Sequence, residues 1–504
     1  MPAATHGDHS ERVTLSTGSR DRRSPAAAVC DNLIDDNDRL LVNYLDRAEL
    51  CYESCWLPNR APGRSAVTSI VVVGAGLSGL AAAYRLQQAG ATVTVLESER
   101  GPGGRVRTER HGGYIVDTGP DALTAGYASY LKLVEELGFG DRLVDTSAVI
   151  GLVRGGRLID VDPAKVLRLP FTRALSMPGK LRLVAGFIRL RKAIRGVDSY
   201  DMGRSAALDD PDVSAHDFAL RHFGREVADY LVDPMMRLTT GTGARDASGV
   251  NVLGALGAWS GGLRSLRGGL ATVTDELASR LDVRYGATVT RVDETESGVT
   301  VSYTDGSGTH SVSAESCVIS AMYHRVVEMW PSLLTASPAF GDKLRNVKLI
   351  SVSLGYRVPT ASRAYAVLVP TVEQPDCLLI FLQHNKSTDR VPRGHSLVTI
   401  YTDTAVTDRF LEYSDAQLEE WATAVVEGLC PELAGNREFS VVTRWPYAGY
   451  LADPGFWRRG GALRDSLPTR GPVQVAGDLF GAGSMESAAR WGEHAARRIL
   501  EGRR

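Results

Sequence analysis

The stretch Ser69–Tyr84, SIVVVGAGLSGLAAAY, decides the fold. It lies within a run that has no charged residue between Arg64 and Arg85. A run of that kind is compatible with a membrane span, a buried helix or the floor of a nucleotide site. Three glycines break it into a β-branched strand, a turn and a helix, and a lone strand plus helix would leave backbone groups unsatisfied in lipid. The sequence therefore predicts a buried strand and helix, not a membrane span.

The pattern on both sides of the turn extends this prediction. It predicts a first strand at Ile70–Val73, a helix at Leu80–Ala89 that ends at Gly90, and a second strand at Thr92–Leu96. Strand, helix and strand within thirty residues are typical of the unit that begins a parallel sheet.

The turn matches G-x-G-x-x-G, placed after a strand and before a helix as dinucleotide binding requires. Its residues are Gly74, Ala75, Gly76, Leu77, Ser78 and Gly79. The first glycine permits a tight turn, the second lets backbone approach a pyrophosphate, and the third lets helix and strand pack closely. Glu97 ends the next strand eighteen residues after Gly79, where an acid can accept ribose hydroxyl groups. The alternative is a glycine turn in the protein core that binds no ligand, but that alternative does not explain an acidic residue at the end of the second strand.

Composition excludes several other classes of function. The 504 residues carry 57 basic and 59 acidic side chains, a formal charge of -2, so nothing global attracts nucleic acid. Six scattered cysteines do not form a disulfide scaffold, and Cys51 and Cys55 lack a second pair of ligands for zinc. We therefore expect no metal and no nucleic-acid partner, and a reducing, cytoplasmic setting.

The first 66 residues are predicted to be an extension of the body. The polar amino terminus lacks the apolar core of a secretory signal, and we expect it to be a disordered tail. Asp35–Trp56 spaces its leucines as an amphipathic helix does, and a Pro/Gly-rich linker follows.

The residues after Glu97 carry a family resemblance. Glu97-Ser-Glu-Arg-Gly-Pro-Gly-Gly-Arg105 and Asp117-Thr-Gly-Pro120 are similar to signatures of the flavin-containing amine oxidase superfamily. The resemblance implies FAD as cofactor. It also implies that Arg105 meets a phosphate, that Gly104 lets the backbone pass near the ribityl chain, and that Gly119 and Pro120 lie beneath the flavin.

Later segments resemble the same superfamily. Gly286–Val289 is similar to the strand whose backbone receives adenine, so Val289 is a predicted contact. Val473–Asp478 and Gly481–Glu486 resemble the closing flavin motif. By that resemblance Gly477 and Asp478 approach the ribityl chain, and the helix that begins near Met485 directs its N–H groups at the flavin. A positive helix end there would stabilise the anionic reduced flavin.

The resemblance implies an α/β fold in which a Rossmann-type FAD-binding domain is interleaved with an α+β substrate-binding domain. The expected segments alternate along the chain: extension 1–66, FAD-binding 67–150, substrate 151–249, FAD-binding 250–325, substrate 326–440 and FAD-binding 441–504.

Two shorter stretches resemble the protoporphyrinogen and coproporphyrinogen oxidases. They are Asp233–Gly241, continued by Ala247–Val250, and Arg444-Trp-Pro446. Two departures argue against amine oxidation: Ala321–Met329 contains no lysine to hold a water at the flavin, and Ser484 stands where an aromatic cage residue is expected.

These observations predict a two-electron oxidation of a hydrophobic, ring-containing small molecule, with molecular oxygen as the electron acceptor. A secondary-metabolism relative of the porphyrinogen oxidases fits equally. Because the cofactor carries the chemistry, an essential acid or base is not required. Tyr447 and Tyr450 are candidates to line the pocket, and Arg237 is a candidate to face a substrate carboxylate; packing and surface roles are the alternatives. A carotenoid or phytoene-type desaturase, an amine or amino-acid oxidase, a redox-neutral isomerase and a non-catalytic flavoprotein remain open.

One basic segment bears on partners. Pro163–Val197 holds nine Lys or Arg and no acid, with Leu181, Val184, Phe187 and Ile188 at helical spacing. Such helices can lie on membranes, so we expect peripheral membrane contact, or else a solvated face of a substrate-domain helix.

Overall fold

A computed structural model describes residues 68–162, 172–258, 262–333 and 338–502. The predicted extension, including the helix Asp35–Trp56 and the cysteine pair, lies outside the described residues. Every count of elements below refers to the described ranges alone.

The strands run from the glycine turn to the last motif. They are β1 (Ser69–Val73), β2 (Thr92–Leu96), β3 (Thr108–His111), β4 (Tyr114–Asp117), β5 (Leu123–Thr124), β6 (Leu143–Asp145), β7 (Ile150–Arg154), β8 (Arg157–Val161), β9 (Leu263–Leu266), β10 (Asp282–Arg284), β11 (Thr288–Thr295), β12 (Gly298–Asp305), β13 (Gly308–Ala314), β14 (Ser316–Ile319), β15 (Asn346–Tyr356), β16 (Ala366–Leu368), β17 (Cys377–Leu382), β18 (Ser396–Thr402), β19 (Arg437–Tyr450) and β20 (Val473–Val475).

The α-helices fill the intervals. They are α1 (Leu77–Gln88), α2 (Ala128–Glu136), α3 (Met177–Arg195), α4 (Ala215–Phe223), α5 (Arg225–Val227), α6 (Asp233–Thr240), α7 (Val250–Ala258), α8 (Ala271–Ser279), α9 (Tyr323–Met329), α10 (Pro338–Gly341), α11 (Thr404–Phe410), α12 (Asp415–Leu429), α13 (Phe456–Ser466) and α14 (Met485–Glu501).

A five-stranded parallel sheet forms the base of the fold, in the order β10-β2-β1-β14-β20. Numbered along the chain, that order is 3-2-1-4-5, the doubly wound arrangement of dinucleotide-binding domains. Both faces of β1 are covered, as parallel strands require. Ile70 and Val72 pack in the core that contains α1 and α14, while Val71 and Val73 pack in a second core on the other face.

A second, larger sheet has seven strands in the order β19-β15-β18-β17-β16-β7-β8. It is antiparallel except where β16 pairs with β7. Its central strands β17 and β18 are buried along their whole length, and α12 covers one face with Leu418, Ala422 and Val426. Two smaller three-stranded sheets, β11-β12-β13 and β5-β9-β6, and the hairpin β3-β4 complete the framework.

Most predicted elements are confirmed. The two strands predicted around the glycine turn are present, and so is the helix predicted to begin near Met485. One boundary was wrong: α1 begins at Leu77, not Leu80, because Ser78 and Gly79 of the turn already form the first helical turn. The division into domain segments stays a prediction.

No described helix is both long enough and apolar enough to cross a bilayer.

Two close approaches fix α1 between its neighbours. A Cβ on Gly79 would collide with the carbonyl of Gly74, and a Cβ on Gly492 of α14 would collide with the carbonyl of Ser78. Behind this contact Arg85 is buried and donates from Nε to Glu493 Oε1 at 2.8 Å, and it also pairs with Glu136 of α2. The helices that flank the parallel sheet are thus joined by backbone contact and by one buried cation.

Candidate functional site

The site predicted from the sequence lies at the carboxyl ends of the parallel strands. Gly74 follows β1, Glu97 follows β2, and Gly477 follows β20. In open sheets of this kind the ligand crevice opens where the strand order reverses; here that point lies between β1 and β14. A Cβ on Gly74, whose φ is 95°, would collide with the carbonyl of Ser320 just after β14. Only glycine brings these two strand ends so close.

The amino terminus of α1 is open on the side of this crevice. Gly76 is the N-cap and provides no side-chain cap, so the first N–H groups of the helix point outward. A Cβ placed on Gly76 would meet nothing within 4 Å. The hydroxyl of Ser78 is buried and has no hydrogen-bond partner in the described chain. Free space, unpaired donors and a positive helix end together fit the diphosphate of a dinucleotide.

Glu97 lies beside the same turn and is only 6% exposed. Its Oε2 accepts a hydrogen bond from Ala75 N at 2.6 Å, and its Oε1 accepts one from Glu99 N at 2.8 Å. A carboxylate offers about four acceptor positions, so it retains capacity for ribose hydroxyl groups. The residues present therefore fit the adenosine end of FAD.

The predicted adenine strand runs next to Glu97. Ala287 N donates to Glu97 O at 2.8 Å, and Gly286 N donates to Glu99 O at 3.1 Å. Val289 follows in β11 and is buried. The structure thus brings the proposed ribose and adenine contacts together, although the roles themselves stay predictions.

Arg105 and Asp478 form an ion pair, with Nη2 and Oδ1 2.8 Å apart. Arg105 Nη1 also donates to Ala448 O at 2.8 Å. Burial lowers the pKa of Arg105, but the charge of Asp478 outweighs it and the pKa is raised. Three distant segments therefore meet at this pair. The sequence assigned Arg105 to a phosphate and Asp478 to the ribityl chain; their pairing places both side chains at one spot without testing either role.

The helix α14 begins at Met485, as the motif predicted. Ser484 caps it by accepting a hydrogen bond from Ser487 N, and the Met485 side chain is buried in the core. Glu486, also buried, accepts from Ser129 N at 3.0 Å and Tyr130 N at 2.9 Å. Glu486 thereby caps α2, a role the sequence did not indicate.

The loop Asp117–Pro120 is held by aromatic side chains. Trp445 Nε1 donates to Thr118 O at 2.7 Å, and Tyr401 Oη lies 3.3 Å from Gly119 O. A Cβ on Gly119 would collide with the carbonyl of Arg105 and would lie 3.7 Å from Trp445 Cζ2. We call Trp445 and Tyr401 the aromatic wall of the site.

Beneath the loop lies a buried charge cluster of Asp117, Asp121, Lys386 and Arg390. Lys386 Nζ is 2.8 Å from Asp117 Oδ2 and 2.5 Å from Asp121 Oδ1, and Arg390 Nη1 is 2.8 Å from Asp117 Oδ2. Burial would raise the pKa of Asp117, but Lys386 and Arg390 outweigh it and hold the pKa at about 2. Two cations and two anions balance, which is the condition for burying charges.

Sequence reasoning missed Lys386 and Arg390. They follow the wholly apolar strand β17 in a polar loop, Gln383–Arg390, which reads as an exposed turn. Their burial depends on Asp117 and Asp121, more than 260 residues earlier in the chain, and no local pattern predicts that pairing. The described residues contain no group of three or more His, Cys, Asp or Glu arranged to hold a metal ion.

The two tyrosine candidates differ in their surroundings. Tyr447 is 45% exposed, and its ring lies 4.5 Å from the ring of His324. Tyr450 Oη accepts from Tyr323 N at 2.8 Å, and burial together with Asp478 raises its pKa. Tyr450 thus lies at the Arg105–Asp478 pair, whereas Tyr447 lies at the surface.

The surface placement expected for Arg237 was wrong, and its role towards a substrate carboxylate stays a prediction. The side chain is 1% exposed, so it is not on the surface. Its Nη2 is 2.9 Å from Asp403 Oδ2, and its donors reach the carbonyls of Val369, Gln374, Pro375 and Cys377. Through these contacts Arg237 joins α6 to the seven-stranded sheet.

Comparison with known proteins agrees with this geometry. A sequence model of the family described as flavin containing amine oxidoreductase matches residues 77–500. Coproporphyrinogen III oxidase of Propionibacterium freudenreichii subsp. freudenreichii is 32% identical over 198 residues, which are 37% of this chain and 35% of that protein. Phytoene dehydrogenase of Streptomyces griseus is 31% identical over 270 residues, 47% of this chain and 52% of that protein.

These relatives are matched only in part, since the chain spans about a third of the coproporphyrinogen oxidase and half of the phytoene dehydrogenase. A solved structure of putrescine oxidase bound to putrescine superposes with a TM-score of 0.70 at 19% identity, covering 86% of this chain and 99% of that one. The predicted fold class is confirmed.

Replacing Glu97 by Gln tests the adenosine end. The amide oxygen can still accept from Ala75 N, but the charge that strengthens bonds to ribose hydroxyls is lost. We expect FAD to bind roughly 10- to 100-fold more weakly, as for a charged hydrogen bond, when the apoprotein is titrated with FAD and flavin fluorescence is followed. Glu99→Gln, at an exposed neighbour, is the control and should bind as wild type does. Equal affinity in Glu97→Gln would contradict the assignment.

The charge cluster predicts a pH dependence. The pKa of Asp117 is lowered from 3.8 to about 2, so its stabilising effect is present above pH 4 and is lost as the pH falls through 2. At pH 7 we expect the free energy of unfolding of Asp117→Asn to be about 3 kcal/mol lower than that of wild type, because two buried cations then share one carboxylate.

The difference in unfolding free energy between wild type and Asp117→Asn should narrow by roughly 2 kcal/mol as the pH falls from 4 to 2. Urea unfolding at several pH values measures it, and exposed Asp282→Asn provides the control. A difference that stays constant with pH would show that Asp117 is not held in its charged form.

Proposed function

Because the chain belongs to the family of flavin-containing amine oxidoreductases, whose cofactor is FAD, we propose that it is an FAD-dependent oxidase of a hydrophobic, ring-containing small molecule. Within that class we propose a substrate of porphyrinogen type. Molecular oxygen is the proposed electron acceptor.

The residues that would hold FAD divide along the crevice. The N–H groups at the start of α1 would bind the diphosphate, and Glu97 would bind the ribose of the adenosine. Arg105 and Asp478 would lie at the ribityl chain, where their mutual pairing can be exchanged for contacts to the cofactor. When bound, FAD supplies the acceptance of two electrons from the substrate.

The observation that carries the substrate class is the aromatic wall. Trp445 and Tyr401 direct their polar atoms to the carbonyls of Thr118 and Gly119, so the polar atoms are satisfied by the loop. Tyr401 is 5% exposed, whereas Trp445 is partly exposed, so Trp445 is the ring that a ligand above the loop would meet. Tyr401 also belongs to an apolar cluster with Leu349, Leu378 and Phe381. Such a surface favours a flat, apolar ring over a small, charged amine.

Two further observations support the porphyrinogen branch. The partial match to a coproporphyrinogen III oxidase is joined by one to protoporphyrinogen oxidase 2 of Arabidopsis thaliana, 31% identical over 186 residues, 36% of this chain and 34% of that protein. Ser484, at the position of the expected cage aromatic, is engaged as the cap of α14. An amine-binding cage of the expected kind would therefore have to be built from other residues.

A phytoene-type desaturase is the second candidate. It is favoured by the partial match to the Streptomyces griseus enzyme. Either substrate is hydrophobic and concentrates in bilayers, so we also propose a cytoplasmic protein that contacts a membrane peripherally.

The test is anaerobic reduction of the purified FAD-loaded protein. A porphyrinogen should bleach the flavin absorbance, whereas a primary amine and a polyene should not. Readmitted oxygen should restore the colour and produce hydrogen peroxide. Trp445→Ala should slow bleaching, while Trp445→Phe should preserve most of the rate because it keeps a ring over Gly119.

Other outcomes identify the rivals. Bleaching by the polyene alone would favour the desaturase, and bleaching by the amine alone would overturn the substrate class. Conversion of substrate without net bleaching or peroxide would indicate a redox-neutral isomerase. An FAD-loaded protein that none of these compounds reduces would contradict the proposed reaction.

A further inference from the structure

The helix α3 (Met177–Arg195) carries an exposed apolar surface that the proposed site does not use. Eight large hydrophobic side chains are exposed in the described chain, and five of them lie on this helix. They are Met177, Leu181, Val184, Phe187 and Ile188, each between 47% and 65% exposed. Single exposed apolar residues need no explanation, but a cluster of them marks an interaction surface.

These side chains form a line along the helix. Met177, Leu181, Val184 and Ile188 are spaced by four, three and four residues, so they project from one side. We call these four residues the outer stripe. The opposite side carries Gly179, Gly186, Leu190 and Ile194, which are buried. At 100° per residue the outer stripe points almost directly away from the core, and it extends for about 16 Å.

Basic side chains lie on both flanks of the outer stripe. At about 100° per residue, Arg191 lies about 50° from the middle of the stripe on one flank, and Arg189 lies about 110° away on the other. Arg182 lies farther round the helix, where its side chain approaches Gly224. All three are exposed, and within the described ranges none of them forms an ion pair. The segment Pro163–Val197 contains no acidic residue. Elsewhere cations and acids are interspersed, and the whole chain has a formal charge of -2, so this positive surface is local.

We infer that the outer face of α3 binds the surface of an anionic phospholipid bilayer, with the outer stripe inserted among the lipid chains and the bordering arginines at the phosphates. A helix with an apolar stripe flanked by cations, and too polar to span, lies in the plane of the interface. The inference rests on the proposed function in one respect, because a hydrophobic substrate accumulates in the bilayer and membrane binding would bring the enzyme to it.

A second copy of the chain fits the face less well. An isologous contact would bring together two helices that each carry six cations between Met177 and Arg195 and no acid. Like charges held together across an interface cost several kcal/mol. A bilayer that contains anionic lipid supplies the opposite charge along the whole helix instead, at about 1 kcal/mol for each cation near its surface.

Vesicle flotation with the full-length, FAD-loaded protein tests the inference. The protein should bind vesicles that contain phosphatidylglycerol and should bind pure phosphatidylcholine vesicles at least tenfold more weakly. High salt should release it, because salt screens the attraction of exposed charges.

Matched variants separate the apolar and charged contributions. Leu181→Asp/Ile188→Asp should weaken binding at least tenfold, while Val372→Asp, at a position as exposed as Ile188, should not. Arg189→Gln/Arg191→Gln should weaken binding to anionic vesicles roughly tenfold or more, whereas Arg393→Gln/Arg470→Gln, at two exposed arginines elsewhere, should leave it near wild type. Unchanged thermal unfolding and FAD content would show that the variants are folded.

Several outcomes would overturn the inference. If the wild-type protein does not bind anionic vesicles, the inference fails and the face has another occupant. The acidic segment Asp35–Trp56 of the same chain is one such alternative. Equal binding by the Leu181→Asp/Ile188→Asp variant would place the contact elsewhere. A concentration-dependent dimer in light scattering that this variant abolishes would assign the face to a second copy. Vesicle binding does not require catalytic turnover. The binding result therefore tests this inference even if the proposed reaction is wrong.

Discussion

The structure depends on one constraint: three layers of backbone meet with no side chain between them. Gly74 touches the end of β14, Gly79 touches Gly74, and Gly492 of α14 touches α1 at Ser78. At each contact a Cβ would overlap a carbonyl oxygen, and a carbonyl of the main chain has little room to move. These approaches set the distance between β1 and β14 and press α1 and α14 onto the sheet. The width of the crevice at the strand ends follows from them.

Everything assigned to the cofactor lies around that crevice. Parallel strands bring residues far apart in sequence to one edge, so Glu97 after β2 and Asp478 after β20 lie on the same side as the glycine turn. The seven-stranded sheet then supplies what the parallel sheet lacks. Its strands β18 and β19 carry Tyr401 and Trp445 to the loop at Gly119, and the loop after β17 carries the cations that neutralise Asp117.

The sequence predicted the local parts of this arrangement well. A glycine that must make a tight turn and an acid at a fixed spacing leave a local pattern, and so Gly74, Gly76, Gly79 and Glu97 could be identified with their strand, helix and fold class. Contacts that depend on tertiary placement left no such pattern. Lys386 and Arg390 looked like surface residues of a polar loop. Arg237 looked as suited to the surface as to a ligand, yet it is buried, and Asp403 and the carbonyls that hold it lie on segments more than a hundred residues away.

The most direct test of the account concerns Gly76. Unlike Gly74 and Gly79, it has an ordinary extended backbone, with φ of -69°, and a Cβ there meets no protein atom. A side chain at this position should therefore leave the fold intact and fill only the space assigned to the diphosphate. The free energy of unfolding of Gly76→Val should lie within about 1 kcal/mol of the wild-type value, the range of a tolerated surface substitution. The variant should purify without the flavin absorbance expected of wild type. A folded Gly76→Val protein that retains FAD at full occupancy would contradict the central claim.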